Sequence, residues 1–337
     1  MVVVCHCPPL FGPRFLNAAL AVDFFFCLSG FVIANAYSER LQTGLSPSRF
    51  LALRLIRLYP LYLFGTALGI AAAGLGLRFA WETTPSSQLV IAVPAALAML
   101  PTLGGPVLYL YNPPAWSLAF ELVANALYGV SHRFRSTPLL IGAIVLSSAV
   151  LLTLVVVRIG TVDLGYQNDT LALGGIPRVV FSFTVGVGIH ALTLRVPCPW
   201  RVGALPLLLV LATILAIPDH EMFRVPYQLG SVLIAFPVIT YLGTAAALPA
   251  RIVGIFSFLG STSYAVYAVH WPLYQLVDRG SARYLSLELS TFAPWSGFVF
   301  LGLLMTLAHL AERFYDRPVR RLVSSMAGLS AKQLKSR

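Results

Sequence analysis

Long apolar runs constrain this chain more than any other feature. Residues 138–157 and 228–248 contain no charged side chain, and 254–277 carries His270 but no Asp, Glu, Lys or Arg. Each approaches or exceeds the roughly 20 residues a helix needs to cross about 30 Å of hydrocarbon. With 58% apolar and 10% charged residues over a length of 337, the chain has too little polar surface for a water-soluble globule. The alternating ten-residue pattern of an outer-membrane barrel is absent. The expected fold is therefore all-α, a polytopic transmembrane helix bundle forming one membrane-embedded domain over 1–337.

Spans are expected at 20–37, 57–77, 116–131, 138–157, 176–193, 204–217, 228–247, 254–277 and 296–315. Run 88–101 is ambiguous, because it carries Pro94 and ends in Pro101-Thr102-Leu103-Gly104-Gly105-Pro106. The positive-inside rule decides it. Arg49, Arg54 and Arg57 fall in one loop. Arg313, Arg317, Arg320, Arg321, Lys332, Lys335 and Arg337 form the tail, so both places should be cytoplasmic. An even number of crossings must separate them, so 88–101 is expected either to be re-entrant, as a segment near 88–106, or to pair with 102–115, and not to be a simple span. Arg133 and Arg135 then lie inside, and Asp163, Asn168, Asp169, Asp219, His220 and Glu221 outside. Only Met1–Cys5 stand before His6, and five helical residues cover about 7 Å. The sequence is accordingly expected to begin late, without most of a first helix.

The net charge of +11 comes from Arg residues in short loops between apolar runs, which reports topology and not nucleic-acid binding. Cys5-His6-Cys7 resembles a metal clip, but no second Cys/His pair has ligand spacing, so no metal is expected. Gly65-Thr66-Ala67-Leu68-Gly69 allows close helix approach, with internal packing as its expected use.

Asp23 heads the run Phe24-Phe25-Phe26-Cys27-Leu28-Ser29-Gly30-Phe31-Val32-Ile33. A carboxylate beside membrane-depth hydrophobics is costly and therefore a candidate site residue. Glu121 is the second, four residues after Ser117 and on the same helix face. Counting along the expected spans puts both acids toward the outer side, together with His270. His6 is a further candidate, while His132, His190, His220 and His309 lie near loop ends, where interfacial roles are expected. Arg54 and Arg57, three apart on one face, head span 57–77 at the cytoplasmic surface. They could hold a phosphorylated ligand through bidentate hydrogen bonds or anchor the helix to lipid headgroups. Spacing alone does not separate the two.

Five segments occur in an order that resembles acyltransferase family 3: Val22-Asp23-Phe24 through Phe31, Arg54-x-x-Arg57-Leu58-Tyr59-Pro60, Trp116-Ser117-Leu118-Ala119-Phe120-Glu121, Ser263-Tyr264 through His270-Trp271-Pro272, and Glu312-Arg313-Phe314-Tyr315-Asp316-Arg317-Pro318. This family comprises integral-membrane O-acyltransferases that modify surface polysaccharides, lipids and other hydroxylated acceptors. The resemblance implies about ten spans, of which the first is largely missing here. It also implies that His6 matches a catalytic first-helix histidine, and that Arg54 and Arg57 engage the donor, acyl-CoA, from the cytoplasm. An Arg usual in the family about eleven positions before that His falls before Met1.

The resulting expectation is an enzyme of the cell membrane, in a bacterium the inner membrane. It would move a short acyl group, acetyl first, from acyl-CoA to a hydroxyl of an envelope glycan or glycolipid, among membrane lipids and with no metal or nucleic acid. His6 would act as general base, since an imidazole suits proton transfer near neutral pH. Asp23 or Glu121 would orient it, as the acid does in a triad. Ser29, Ser117 and Ser263 are conceivable acyl relays. The rival readings are a proton-coupled transporter or flippase built on Asp23, Glu121 and His270, which the lack of repeated halves disfavours, and an acyl-CoA-binding homologue without turnover.

Overall fold

The structure is a computed structural model that describes residues 2–12, 16–102, 107–132, 136–167 and 169–328. Arg133, Arg135, Asn168, Lys332, Lys335 and Arg337, on which part of the sidedness expectation rests, lie outside the described residues. Two short helices open the chain, α1 (Val2–His6) and α2 (Pro8–Phe11). Then follow α3 (Ala21–Gln42), α4 (Pro47–Phe79), α5 (Ser86–Leu97), α6 (Trp116–Ser131), α7 (Thr137–Leu154), α8 (Asp169–Thr193) and α9 (Ala204–Ala216). The remainder is α10 (Arg224–Gly230), α11 (Phe236–Gly243), α12 (Val253–Tyr284), α13 (Trp295–Ala311) and α14 (Arg317–Met326). Single π-helical turns at Val155–Ile159, Ser231–Ala235 and Glu312–Asp316 extend α7, join α10 to α11, and join α13 to α14.

Among the described residues seven helices are long and apolar enough to cross a membrane, and the protein is a multi-pass membrane protein. In hydrocarbon a helix satisfies its own backbone, which is why apolar runs of this length fold in no other way here. The expected spans 116–131 and 204–217 are found at nearly those bounds, as α6 with 16 residues and α9 with 13, each shorter than the roughly 20 residues of a full crossing. The 12 residues of α5 rise about 18 Å, too little to cross. Its carbonyls are taken by α4 and by the segment before α6: Tyr62 donates to Ala96, Tyr59 to Leu97 at 2.7 Å, and Tyr111 to Leu89.

Pair contacts fix the helix directions. Asp23 meets Arg178, and Ser38 Oγ lies 3.3 Å from His190 Nε2, so α3 and α8 run parallel. Tyr264 donates to the Leu58 carbonyl at 2.5 Å and Gly65 abuts the Ala268 carbonyl, so α4 and α12 are parallel. Gly129 faces Phe50 and Pro47, which makes α6 antiparallel to α4 and returns the chain to the side it left before α5. Phe258 pairs with His309 and Tyr274 with Phe300, so α13 runs back along α12. Arg49 reaches the Gly328 carbonyl at 3.4 Å. The α3–α4 turn and the end of α14 therefore share one side of the bundle, the side expected to be cytoplasmic.

Close approach at glycines makes this packing possible. A Cβ on Gly30 would strike the Phe183 carbonyl oxygen, and one on Gly186 the Cys27 carbonyl oxygen, so backbone rests on backbone between α3 and α8. The Gly65/Gly69 pair does the same work, against the carbonyls of Ala268 and Tyr111, as internal packing.

The structure corrects where the arginine pair sits. The span expected to begin at 57 begins at Pro47, capped by the Ser46 hydroxyl accepting from the Arg49 amide at 3.3 Å with proline at the first helical position. Arg54 and Arg57 are therefore about 10 and 15 Å along α4, not at its head. His190, expected near a solvated loop end, is buried.

Candidate active site

His6 ends α1, whose neighbours Val3, Cys7, Leu10 and Phe11 are buried against Ala265, Ala268, Val269 and Leu273 of α12. That apolar seam turns the His6 ring toward α12. His6 Nδ1 lies 2.7 Å from His270 Nε2. The rings are nearly parallel, at 7°, with centroids 5.1 Å apart. This separation is close to the N···N distance plus the two ring radii, so the contact is an in-plane hydrogen bond and not a face-to-face stack. Trp271 meets the His6 ring edge-on with centroids 6.1 Å apart.

The proton positions follow from the partners. His270 Nδ1 lies 2.7 Å from the Tyr267 carbonyl oxygen, which only accepts, so Nδ1 of a neutral His270 carries the hydrogen. Its Nε2 then accepts, and His6 Nδ1–H donates to it. His6 is left with an Nε2 lone pair, the state a general base needs. His270 thus holds the tautomer and the plane of His6 in the way that an outer partner fixes a metal-binding or catalytic imidazole.

Neither carboxylate expected to orient His6 touches it. Asp23 is wholly buried, and both its oxygens are taken by Arg178 at 2.7 Å each. Arg178 also donates to the carbonyls of Leu164 at 2.8 Å and Ala19 at 3.2 Å, and its guanidinium lies 5.5 Å from the Trp116 ring centroid. Glu121 Oε1 accepts from Ser29 Oγ at 3.1 Å and from Arg54 Nη2 at 3.0 Å. The expectation that Glu121 stands apart from the arginines, toward the opposite face, is corrected by that ion pair. Because α4 starts ten residues early, Arg54 is deep enough to reach it.

The three serines offered as relays have other work. Ser29 binds Glu121, and Ser263 donates to the Gly260 carbonyl at 2.8 Å within its own helix. Ser117 Oγ is 2.6 Å from Tyr267 Oη, and both hydroxyls reach the Pro114 carbonyl. Sequence reasoning missed Arg178 and Tyr267. The first had a usable signal, an arginine within an otherwise apolar span. The second had none, since tyrosines are common in this chain.

A cavity of about 350 Å³ has the Arg54–Glu121 group in its wall and reaches residues next to the histidine pair, which itself does not line it. Val2, one helical turn before His6, lines it together with Val22, Phe25 and Tyr267, whose ring centroid is 5.6 Å from that of His270. Further along, Ser29, Glu121, Arg54 and Arg57 form its wall. Arg57 is exposed there, with no hydrogen-bond partner among the described residues. One passage therefore has cationic groups at one end and the histidine pair beside the other.

Membrane-crossing helices thus surround a histidine pair and an arginine-lined cavity. The chain belongs to acyltransferase family 3: the family model described as an acyltransferase domain matches residues 1–310. It is an acyltransferase. Over 168 residues it is 39% identical to "Protein 2 in picA locus" of Rhizobium radiobacter, covering 44% of this chain and 86% of that protein. Over 351 aligned positions it is 26% identical to "Exopolysaccharide production protein ExoZ" of Rhizobium meliloti (strain 1021), covering 97% and 99%. No solved structure matches.

Proposed function

We propose that the protein transfers a short acyl group, acetyl as first candidate, from acyl-CoA to a hydroxyl of an envelope polysaccharide or glycolipid. The carrying observation is a cavity that has Arg54 and Arg57 in its wall and is lined, toward its other end, by Val2 and Tyr267, the neighbours of the His6–His270 pair. The donor's phosphates suit the arginines, Arg57 above all, because a guanidinium gives phosphate oxygens two parallel donors. The thioester would then reach toward the histidines. A polysaccharide acceptor is supported by the name of the relative matched over nearly its whole length, an exopolysaccharide production protein.

In the reaction, His6 Nε2 takes the proton of the acceptor hydroxyl as its oxygen bonds to the thioester carbonyl carbon. The carbonyl reforms as the C–S bond breaks, and the proton leaves with the CoA thiolate. The products are the O-acyl acceptor and free CoA. His270 is a positioning residue here, holding His6 through the Nδ1 bond and stabilising its charged form.

The test is transfer of radiolabelled acetyl from acetyl-CoA to a hydroxylated glycan by the protein in proteoliposomes. His6→Ala is expected to lower transfer by roughly 10²–10⁴-fold while CoA still binds. His270→Ala is expected to lose less, with donor affinity unchanged. Near-full transfer by His6→Ala beside a dead His270→Ala would move the base to His270. Absence of any thioester turnover by the intact protein would reject the reading in favour of binding or transport.

A further inference from the structure

Pro272 stands inside α12, two residues after His270, and has no backbone N–H. The carbonyl four residues earlier, that of Ala268, therefore lacks the donor its own helix would have supplied. Ala268 is wholly buried, and a buried carbonyl without a partner is costly. Its donor comes from elsewhere in the chain: Asn112 Nδ2 reaches the Ala268 oxygen at 2.9 Å across 156 positions. A carbonyl only accepts, which fixes the orientation of the Asn112 amide. Gly65 of α4 abuts the same oxygen, and a Cβ there would also crowd Asn112 Nδ2 at 3.3 Å.

The local sequence frees Asn112 for this bond. It stands before Pro113-Pro114 and the turn that leads into α6, where an asparagine side chain commonly caps by accepting from an amide two or three positions on. Pro114 has no amide to give, and the Ala115 amide is taken by the Asn112 carbonyl at 2.8 Å. The side chain accordingly makes no cap bond. A second tie lies one residue earlier on α12, where Tyr267 Oη donates to the Pro114 carbonyl at 2.9 Å and meets Ser117 Oγ at 2.6 Å. The carbonyl of that same Tyr267 is the acceptor for His270 Nδ1.

We propose that Asn112 is a positioning residue for the histidine pair: it gives the Ala268 carbonyl the hydrogen bond that Pro272 withholds, and so fixes the turn of α12 that aims His270 at His6. Without that bond the break at the proline is left open, and helices kink at such breaks. His270 Nε2 then moves off His6 Nδ1, now 2.7 Å away, and the plane and tautomer of His6 are no longer held. The bearing of this tie on turnover rests on the proposed role of His6 as general base.

The test is a double-variant cycle on the full chain in proteoliposomes, with Asn112→Leu, Pro272→Ala and the two combined. Pro272→Ala returns an N–H to position 272, so α12 bonds the Ala268 carbonyl itself and Asn112 becomes dispensable. Two readouts are taken on each protein. One is solid-state NMR of nitrogen-15-labelled imidazoles, in which the His6–His270 bond gives a correlation between ring nitrogens that His270→Ala removes. The other is the kinetics of acetyl transfer per folded molecule. Asn112→Leu is expected to lose the correlation and to lower kcat by roughly ten- to a hundredfold, the effect of a small misplacement. Its KM for acetyl-CoA should stay within about twofold, since the donor's phosphates are held elsewhere. In Pro272→Ala the correlation should persist, and adding Asn112→Leu should then change kcat less than about threefold.

A role in folding alone would leave the correlation and kcat of folded Asn112→Leu unchanged, and that outcome overturns the proposal. Loss of the correlation in Pro272→Ala overturns it too, as does an equal effect of Asn112→Leu with and without the proline. Should Asn112→Leu fail to fold, the combined variant decides: recovery of fold and correlation supports the tie, and no recovery overturns it. An intact protein without the correlation overturns the positioning itself. An intact protein that shows the correlation but transfers no acetyl rejects the proposed reaction, and the NMR arm alone then decides the role of Asn112.

Discussion

Arg178 and Asp23 form a fork closed at both prongs: Nε to Oδ1 and Nη2 to Oδ2, each 2.7 Å, with both side chains at zero exposure. Arg54 and Glu121 form the same kind of pair closed at one prong only. The first is joined to the carbonyls of Leu164 and Ala19, so it locks the entry of α3 and the segment before α8 to one guanidinium. It is a fastening for the bundle, whereas the second faces a cavity.

Breaking the closed fork should therefore act on stability. Arg178→Ala leaves a buried carboxylate and the buried Leu164 carbonyl without their donor, and removes the bond to Ala19, at a cost of about 3–5 kcal/mol. The expected outcome is a clear drop in melting temperature in detergent, partly recovered in the double variant Asp23→Leu with Arg178→Leu. A melting temperature equal to that of the unaltered protein contradicts the fastening role.

Arg57→Ala should separate binding from folding. Its guanidinium lies exposed on the cavity wall with no hydrogen-bond partner among the described residues, so its loss should leave the melting temperature in place. Donor KM should rise about tenfold or more, the size of one charge-assisted bond to phosphate. Arg54→Ala differs, because it strands Glu121 and should lower stability as well. If Arg57→Ala binds acyl-CoA as before, the phosphate assignment is wrong.

Helix contact at Gly30 and Gly186 leaves no room for a methyl group. Gly186→Ala would drive a Cβ into the Cys27 carbonyl oxygen, and the rigid seam between α3 and α8 has to open. A loss of about 1–3 kcal/mol is expected, read as lower folded yield and melting temperature. Gly142→Ala on α7 meets nothing within 4 Å and should be neutral or slightly stabilising by helix propensity. Equal behaviour of the two variants would remove the packing argument.

Sidedness can be read with an impermeant thiol reagent. A cysteine replacing Glu221, in the α9–α10 connection, should label from outside intact cells, and one replacing Ser136, before α7, should not. Labelling of Ser136→Cys from outside would invert the bundle and with it the direction from which the donor enters.

Much of the architecture was legible because hydrophobic length is a local property. The runs 138–157 and 254–277 became α7 with its π-helical turn and α12, and the proline-interrupted run 88–101 became a 12-residue helix too short to cross. Charge counting also indicated that α5 does not cross, and the antiparallel contact of α6 with α4 agrees. Boundaries were less legible, as with α4: its first turns carry Ser48, Arg49, Arg54 and Arg57 and so read as a loop by hydropathy, though Ser46 and Pro47 cap a helix there.

The sequence by itself determined that this chain spans a membrane, which residue types could do chemistry, and, through the order of its segments, the family. Tertiary structure decided who partners whom. His6 and His270 are 264 positions apart, Asp23 and Arg178 are 155 apart, and Arg54 and Glu121 are 67 apart. No local pattern encodes those pairings, because which face a helix turns inward and how deep it sits are set by the packing of all its neighbours. A candidate acid could be found from the cost of burying its charge, but the cation that balances that cost is chosen only when the helices come together.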